Sequence, residues 1–228
     1  MGISSLELYY NNVTSQMSNT RIFFIALAST LLLFSCATNT FTATEKSVIH
    51  EQSAMTPFRV LKVTNKEDSI VLRTACKDII DSKNPIDIQK LVADTTLKHL
   101  ISRLIVTLAT EDGVGIAAPQ VGISKNLFLF LRLNQPDEPI CVAINPKIVN
   151  HPDTTVCFER DGCLSIPDAQ GNSVRYPWVD VEYYNEKGEL IREHLEGYSR
   201  QTTFTAIIFQ HEYDHLQGIL FTDSLCEK

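Results

Sequence analysis

An α+β fold is predicted for this chain of 228 residues because helical and strand periodicities both occur along it. Between Ile86 and Thr110, leucines recur at Leu91, Leu97, Leu100, Leu104 and Leu108, on related faces of a helix. From Val174 to Tyr184 the pattern becomes alternation, with Val179, Val181 and Tyr183 two positions apart, the period of a half-buried strand. From Ser199 to Leu216, Phe204, Ile207, Ile208 and His211 return to helical spacing, with no Pro or Gly between the ends.

Taken in order, the elements are a helix over 86–110, a strand over Leu127 to Leu133, a strand over Cys141 to Asn145 and the strand over Val174 to Tyr184. Asn185-Glu186-Lys187-Gly188 reads as a turn, and Leu190 to Leu195 returns as the hairpin partner. The last helix has Ser199 as its predicted N-cap and Gly218 where a C-cap falls. A hydrophobic content of 44% suffices for a real core, and a net charge of −7 without any basic run argues against nucleic-acid binding. There are no internal repeats. Six cysteines, Cys36, Cys76, Cys141, Cys157, Cys163 and Cys226, are irregularly spaced, so no structural disulfide framework is expected.

The most informative stretch is Gln210-His211-Glu212-Tyr213-Asp214-His215. Residues four apart share a helical face, so His211 and His215 can address one metal ion. Glu212 sits beside them, where a carboxylate can move a proton to and from water. The helix around them is mostly apolar, hence buried, and a metal supplies the reason for burying such groups, which otherwise costs several kcal/mol. The bland alternative is an amphipathic helix with two exposed histidines. A catalytic metal of this kind has three protein ligands. Downstream of His215, only Asp223, Cys226 and Glu227 are credible donors. Upstream, Asp161-Gly162-Cys163-Leu164-Ser165-Ile166-Pro167 offers Cys163, a strong ligand for Fe(II) or Zn(II) as a thiolate. A further block, Gly113 to Gly122, is built of small residues around one polar side chain, Gln120. No Lys follows its glycines, which argues against a phosphate loop.

In this order the three blocks resemble the peptide deformylase family, which carries Gly-x-Gly-x-Ala-Ala-x-Gln, Glu-Gly-Cys-Leu-Ser and Gln-His-Glu-x-Asp-His. Only the middle block departs, with Asp161 in place of Glu. The resemblance runs from about Phe58 to the C-terminus. It implies antiparallel β-sheets around a central metal-binding helix. It implies Cys163, His211 and His215 as metal ligands, Glu212 as general base and acid, and Gln120 with the backbone N–H of Leu164 as oxyanion donors. Gly115 is implied to contact the substrate main chain, and Val114, Ile207 and Ile208 to line the pocket for the first side chain. The implied cofactor is one Fe(II) per chain, with Zn(II) or another divalent metal able to substitute. The implied activity is removal of the formyl group from formyl-methionyl peptides or nascent proteins, with formate released. The departure at Asp161 bears on substrate preference more than on chemistry, and Arg175 is the nearest downstream cation to pair with it. Backbone around Val114 to Ile116 is expected to pair with an extended peptide. A monomer is expected.

The N-terminus reads differently. Residues 22–34 are almost wholly apolar, with Arg21 before them and Ser35-Cys36 after, too short for a membrane span and right for a signal peptide. Leu33-Phe34-Ser35-Cys36 resembles a bacterial lipoprotein cleavage box, Phe34 being the poor fit. Residues 1–36 are therefore expected to be a targeting segment with a lipid anchor at Cys36, residues 37–57 a polar linker, and residues 58–228 the catalytic domain. Met17 gives a more typical signal length than Met1, which would leave residues 1–16 untranslated. Export or anchoring conflicts with the cytoplasmic location that the family's usual role implies.

Two rivals stand beside this reading. A metalloprotease using a downstream acid leaves the Cys163 and Gln120 blocks unexplained. An exported relative that binds peptide or metal, with altered or no activity, is the alternative from another class.

Overall fold

The computed structural model describes residues 40–80 and 87–227. The expected targeting segment, Cys36 and the start of the expected linker lie outside the described residues. Among the described residues no helix is long and apolar enough to cross a membrane.

A five-stranded antiparallel sheet runs in the order β1-β2-β3-β6-β7, built from β1 (Gly115–Ala117), β2 (Leu127–Leu131), β3 (Ile140–Asn150), β6 (Trp178–Tyr184) and β7 (Leu190–Glu196). A second sheet is the hairpin of β4 (Val156–Cys163) and β5 (Ile166–Arg175). The β2 sequence Leu-Phe-Leu-Phe-Leu is a continuous apolar run with four of its five residues buried, as expected where both faces of a strand are covered. The helix α5 (Thr205–Leu216) buries ten of its twelve residues, so it is a core helix rather than a surface one. Phe209 of α5 meets the rings of Phe128 and Phe130 edge-on, at centroid distances of 4.9 and 5.4 Å, an arrangement aromatic pairs favour. The expected α+β architecture, antiparallel sheets around a central helix, is what forms.

The helix expected over Ile86 to Thr110 is two helices, α3 (Ile88–Ala93) and α4 (Thr95–Thr110). The Asp94 carboxylate accepts from the N–H groups of Thr96 and Leu97. This starts a new helix where the leucine period alone reads through. The strand expected over Val174 to Tyr184 is also divided. Pro177 lacks an N–H for a ladder, so β5 ends at Arg175, β6 begins at Trp178, and the chain changes sheets between them.

The last helix starts at Thr205, not after Ser199. The Ser199 side chain bonds the Thr202 hydroxyl instead, a local turn that competes with helix. The C-terminus is where it was expected. Gly218 has φ +73, its N–H donates to the His215 carbonyl and the Ile219 N–H donates to Asp214, which closes the helix with a Schellman motif.

Residues 40–57 are not a tether. Helix α1 (Ala43–His50) carries a Thr42–Glu45 capping box, and Phe41 and Ile49 are buried. Buried Arg103 of α4 donates to the carbonyls of Val48, Ile49, Thr56 and Pro57 and stacks on Phe58. A polar composition concealed the docking because the fastening is made to backbone carbonyls, which carry no sequence signal.

The cysteine expectation is also corrected, since Cys157 and Cys226 form a disulfide across 69 residues of sequence. Cys226 reaches Cys157 because the tail lies along β5, with Val174 N–H donating to Ser224 O and Cys226 N–H to Asn172 O. Spacing could not show a pair that this added strand brings together. A loop of this length predicts that removing the bond with Cys157→Ser costs about 2–4 kcal/mol. The test is the urea midpoint of the variant against the parent, and an unshifted midpoint counts against the staple.

Candidate metal centre

Helix α5 sets two of the candidate ligands. His211 and His215 lie one turn apart with ring centroids 5.1 Å from each other. The third comes from the end of β4, where Cys163 pairs with Ile166 across a two-residue reversal at Leu164-Ser165. Cys163 Sγ lies 3.2 Å from His215 Nε2, and one donor atom from each of the three residues falls within 4.8 Å of the other two. The upstream Cys163, and none of the downstream donors, completes the cluster found among the described residues. Burial opposes a thiolate at Cys163, but the charges and hydrogen bonds of His215 and His211 outweigh it and hold the thiol well below its usual value. A thiolate with two imidazoles is a donor set suited to Zn(II) or Fe(II).

The outer contacts orient these groups. His211 Nδ1 meets Asp161 Oδ1 at 3.1 Å, leaving Nε2 as the ring nitrogen for a metal. Asp161 Oδ2 accepts from the Ser173 hydroxyl at 2.6 Å and from Arg175 Nη2 at 3.0 Å. The predicted Asp161–Arg175 pair is therefore present, and Arg175 also reaches Asp214 of α5. Burial would raise the Asp161 carboxyl, but the His211 and Arg175 charges hold it well below the usual carboxylate range. The Asp214 and Ser173 contributions were not anticipated. Asp214 lies within the His-Glu motif, which was a usable signal, whereas Ser173 had none.

Glu212 is buried and its Oε2 has no hydrogen-bond partner in the protein. Burial, only partly offset by the neighbouring histidines, pushes its carboxyl up to about 7, which suits a group that both takes and gives a proton near neutral pH. A Cβ placed on Gly115 would come within 2.4 Å of Glu212 Oε1, so the glycine makes room for the carboxylate.

The Gln120 amide is fixed at both ends. Its oxygen accepts from Ala117 N–H at 2.8 Å, and its Nε2 donates to Ser165 Oγ at 3.3 Å and to Cys163 Sγ at 3.6 Å. Sequence reasoning missed Ser165 in this role, and also Lys62, whose Nζ donates to the Leu164 carbonyl at 2.6 Å. Together with the Val63 N–H on Ser165 O, these bonds hold the β4–β5 reversal against the site.

A cleft of about 710 Å³ opens over the centre. Val114, Gly115, Gln120, Leu164, Ile207 and Ile208 all line it, together with Cys163, His211 and Glu212. His215 lies behind them, 1% exposed. The structure thus brings every predicted site residue to one place. Strand β1 is the edge of its sheet; its three residues are buried, and the exposed residue at this edge is Val114, just before it on the cleft.

Two predictions follow from this geometry. Cys163→Ser should reduce bound metal from one per chain to near zero by elemental analysis while α5 remains helical; full retention of metal would exclude Cys163 as a ligand. Gly115→Ala should displace Glu212 and lower kcat/KM about 100-fold, the scale of a misplacement near 1 Å, and a rate within twofold of the parent would show that the close approach is unimportant.

Residues 60–228 match a family model described as "Polypeptide deformylase". Similar proteins include peptide deformylase 2 of Nostoc sp., 41% identical over 138 residues that cover 58% of this chain and 73% of that protein. The peptide deformylase of Thermotoga maritima is 43% identical over 133 residues, 58% of this chain and 74% of that protein. Its crystal structure matches with a TM-score of 0.60 and 34% identity, over 75% of this chain and 99% of that one. A Met-Ala-Ser-bound structure of the class I type b peptide deformylase from Acinetobacter baumannii matches with a TM-score of 0.60, 30% identity and the same coverage.

Proposed function

The chain belongs to the polypeptide deformylase family, and on that premise we propose how its residues divide the work. It is a metal-dependent hydrolase that removes the N-terminal formyl group from formyl-methionyl peptides or nascent proteins, releasing formate. Cys163, His211 and His215 hold the metal. The observation that carries this assignment is their convergence within 4.8 Å beside the unpartnered Glu212 Oε2. When bound, a divalent metal supplies Lewis acidity and lowers the pKa of water toward neutrality.

Glu212, buried with one oxygen unpartnered, takes a proton from the attacking water and returns it to the leaving amine. The Nε2 of Gln120, already pointing at Cys163, and the backbone N–H of Leu164 are the donors for the tetrahedral oxyanion. A missing donor of this type lowers rate about 100- to 1000-fold. Gly115 lies beside the Glu212 carboxylate, close to where the peptide main chain passes along β1. Val114, Ile207 and Ile208 receive the methionine side chain. Family resemblance favours Fe(II), with Zn(II) or another divalent metal substituting. The partners are formylated peptides or nascent chains, and the chain acts as a monomer.

Residues 1–36 serve as a targeting segment that anchors the enzyme through a lipid on Cys36. The Cys157–Cys226 disulfide supports work outside the cytoplasm, because thiols are kept reduced inside it.

The test is formate release from formyl-Met-Ala-Ser by the anaerobically purified chain loaded with Fe(II). Glu212→Ala should keep its metal and lose about 100- to 10,000-fold in kcat, the span of general acid–base catalysis. A folded, metal-loaded parent that releases no formate would overturn the reading.

A further inference from the structure

Arg200 lines the cleft over the metal centre and has no part in the chemistry above. It is exposed, yet it is tied down. Its guanidinium carbon lies 5.1 Å from the Phe158 ring centroid and 5.2 Å from that of Phe204. Those two rings are themselves 5.7 Å apart. Nη2 donates to the Arg160 carbonyl at 2.8 Å and Nε to the Glu159 carbonyl at 3.4 Å. A planar guanidinium stacked on two aromatics and fixed to two carbonyls is preorganised in a way that a free surface arginine is not.

Its place in the cleft follows from the helix. Phe204 precedes His211 by seven residues, about 10 Å along an axis that rises roughly 1.5 Å per residue. Ile207 and Ile208 lie between them on the cleft wall. The wall therefore runs from the metal centre along apolar side chains and ends at Phe158, Phe204 and the Arg200 cation. Hydrocarbon lines the near part of the pocket, and a donor-only group stands at its far end.

We propose that Arg200 is a specificity-determining residue of the first-side-chain pocket, admitting side chains whose tip is a hydrogen-bond acceptor. The substrate class is formyl peptides whose first residue is methionine sulfoxide, which keeps the length of methionine and adds an oxygen at sulfur. This rests on the deformylase reading. Ile207, Ile208 and Val114 accommodate the apolar stem, and the sulfoxide oxygen accepts a charge-assisted hydrogen bond from the guanidinium. A cationic tip is excluded by the same charge.

The experiment compares kcat/KM for formyl-Met-Ala-Ser and its sulfoxide analogue, using the full, metal-loaded chain and its Arg200→Met and Arg200→Lys variants. Arg200→Met should lose about tenfold more on the sulfoxide than on formyl-methionine, as expected for one hydrogen bond to a charged group. That loss should appear in KM rather than kcat. Arg200→Lys, which keeps the charge without the planar stack, should fall between. Equal losses on the two substrates, or a loss confined to kcat, overturn the proposal while leaving the deformylase reading intact. A parent without turnover on formyl-Met-Ala-Ser overturns both.

Discussion

Helix α5 is apolar enough to be buried on nearly every side, and it takes Gln210, His211, Glu212 and His215 into the core with it. Buried polar groups cost several kcal/mol unless they are met, so the surrounding chain must deliver partners to that one helix. Gln210 is satisfied by the Tyr176 backbone, accepting from its N–H and donating to its carbonyl. His211 is met by Asp161, and His215 by Cys163. Among the described residues, two buried polar atoms of this helix keep no partner, His215 Nδ1 and Glu212 Oε2, and Glu212 is the group to which we assign the proton transfers.

Those partners explain the shape of the rest. The β4–β5 hairpin carries Asp161, Cys163, Ser173 and Arg175, so one supersecondary unit supplies a proposed metal ligand and the network behind another. The Tyr176-Pro177 crossover, which Gln210 clasps, is also where the chain leaves that hairpin for the main sheet. Asp161, the one departure from the motif pattern, uses both of its oxygens. One oxygen reaches His211, and the other takes Ser173 and Arg175. Arg175 then bridges to Asp214 and locks the hairpin onto α5. Such a network is worth more as positioning than as net stability, since desolvating the charges offsets much of their attraction.

The fastenings at the two ends of the described chain share a logic. Arg103 holds residues 48–57 by their carbonyls, and the tail is held by β-pairing and a disulfide. Both lie outside the alternating and helical patterns that build the core. A disulfide that closes a long loop acts chiefly on the unfolded chain.

Much of the centre was legible in the sequence because it depends on local geometry. Four-residue spacing places His211 and His215 on one face of any helix, whatever surrounds it, and an apolar helix bearing them must be buried. Alternation at Val179, Val181 and Tyr183 likewise needs only the pleat of a strand. The blocks around Gln120 and Cys163 were readable through family resemblance, and the fold brings them to the histidines. What only the tertiary structure decided were contacts between residues far apart in sequence. The pairing of Cys157 with Cys226, the Ser173 and Asp214 bonds around Asp161 and Arg175, the docking of residues 40–57 and the stacking of Arg200 on Phe158 and Phe204 all depend on which elements become neighbours. Local periodicity specifies which face of an element is buried, but not what it is buried against.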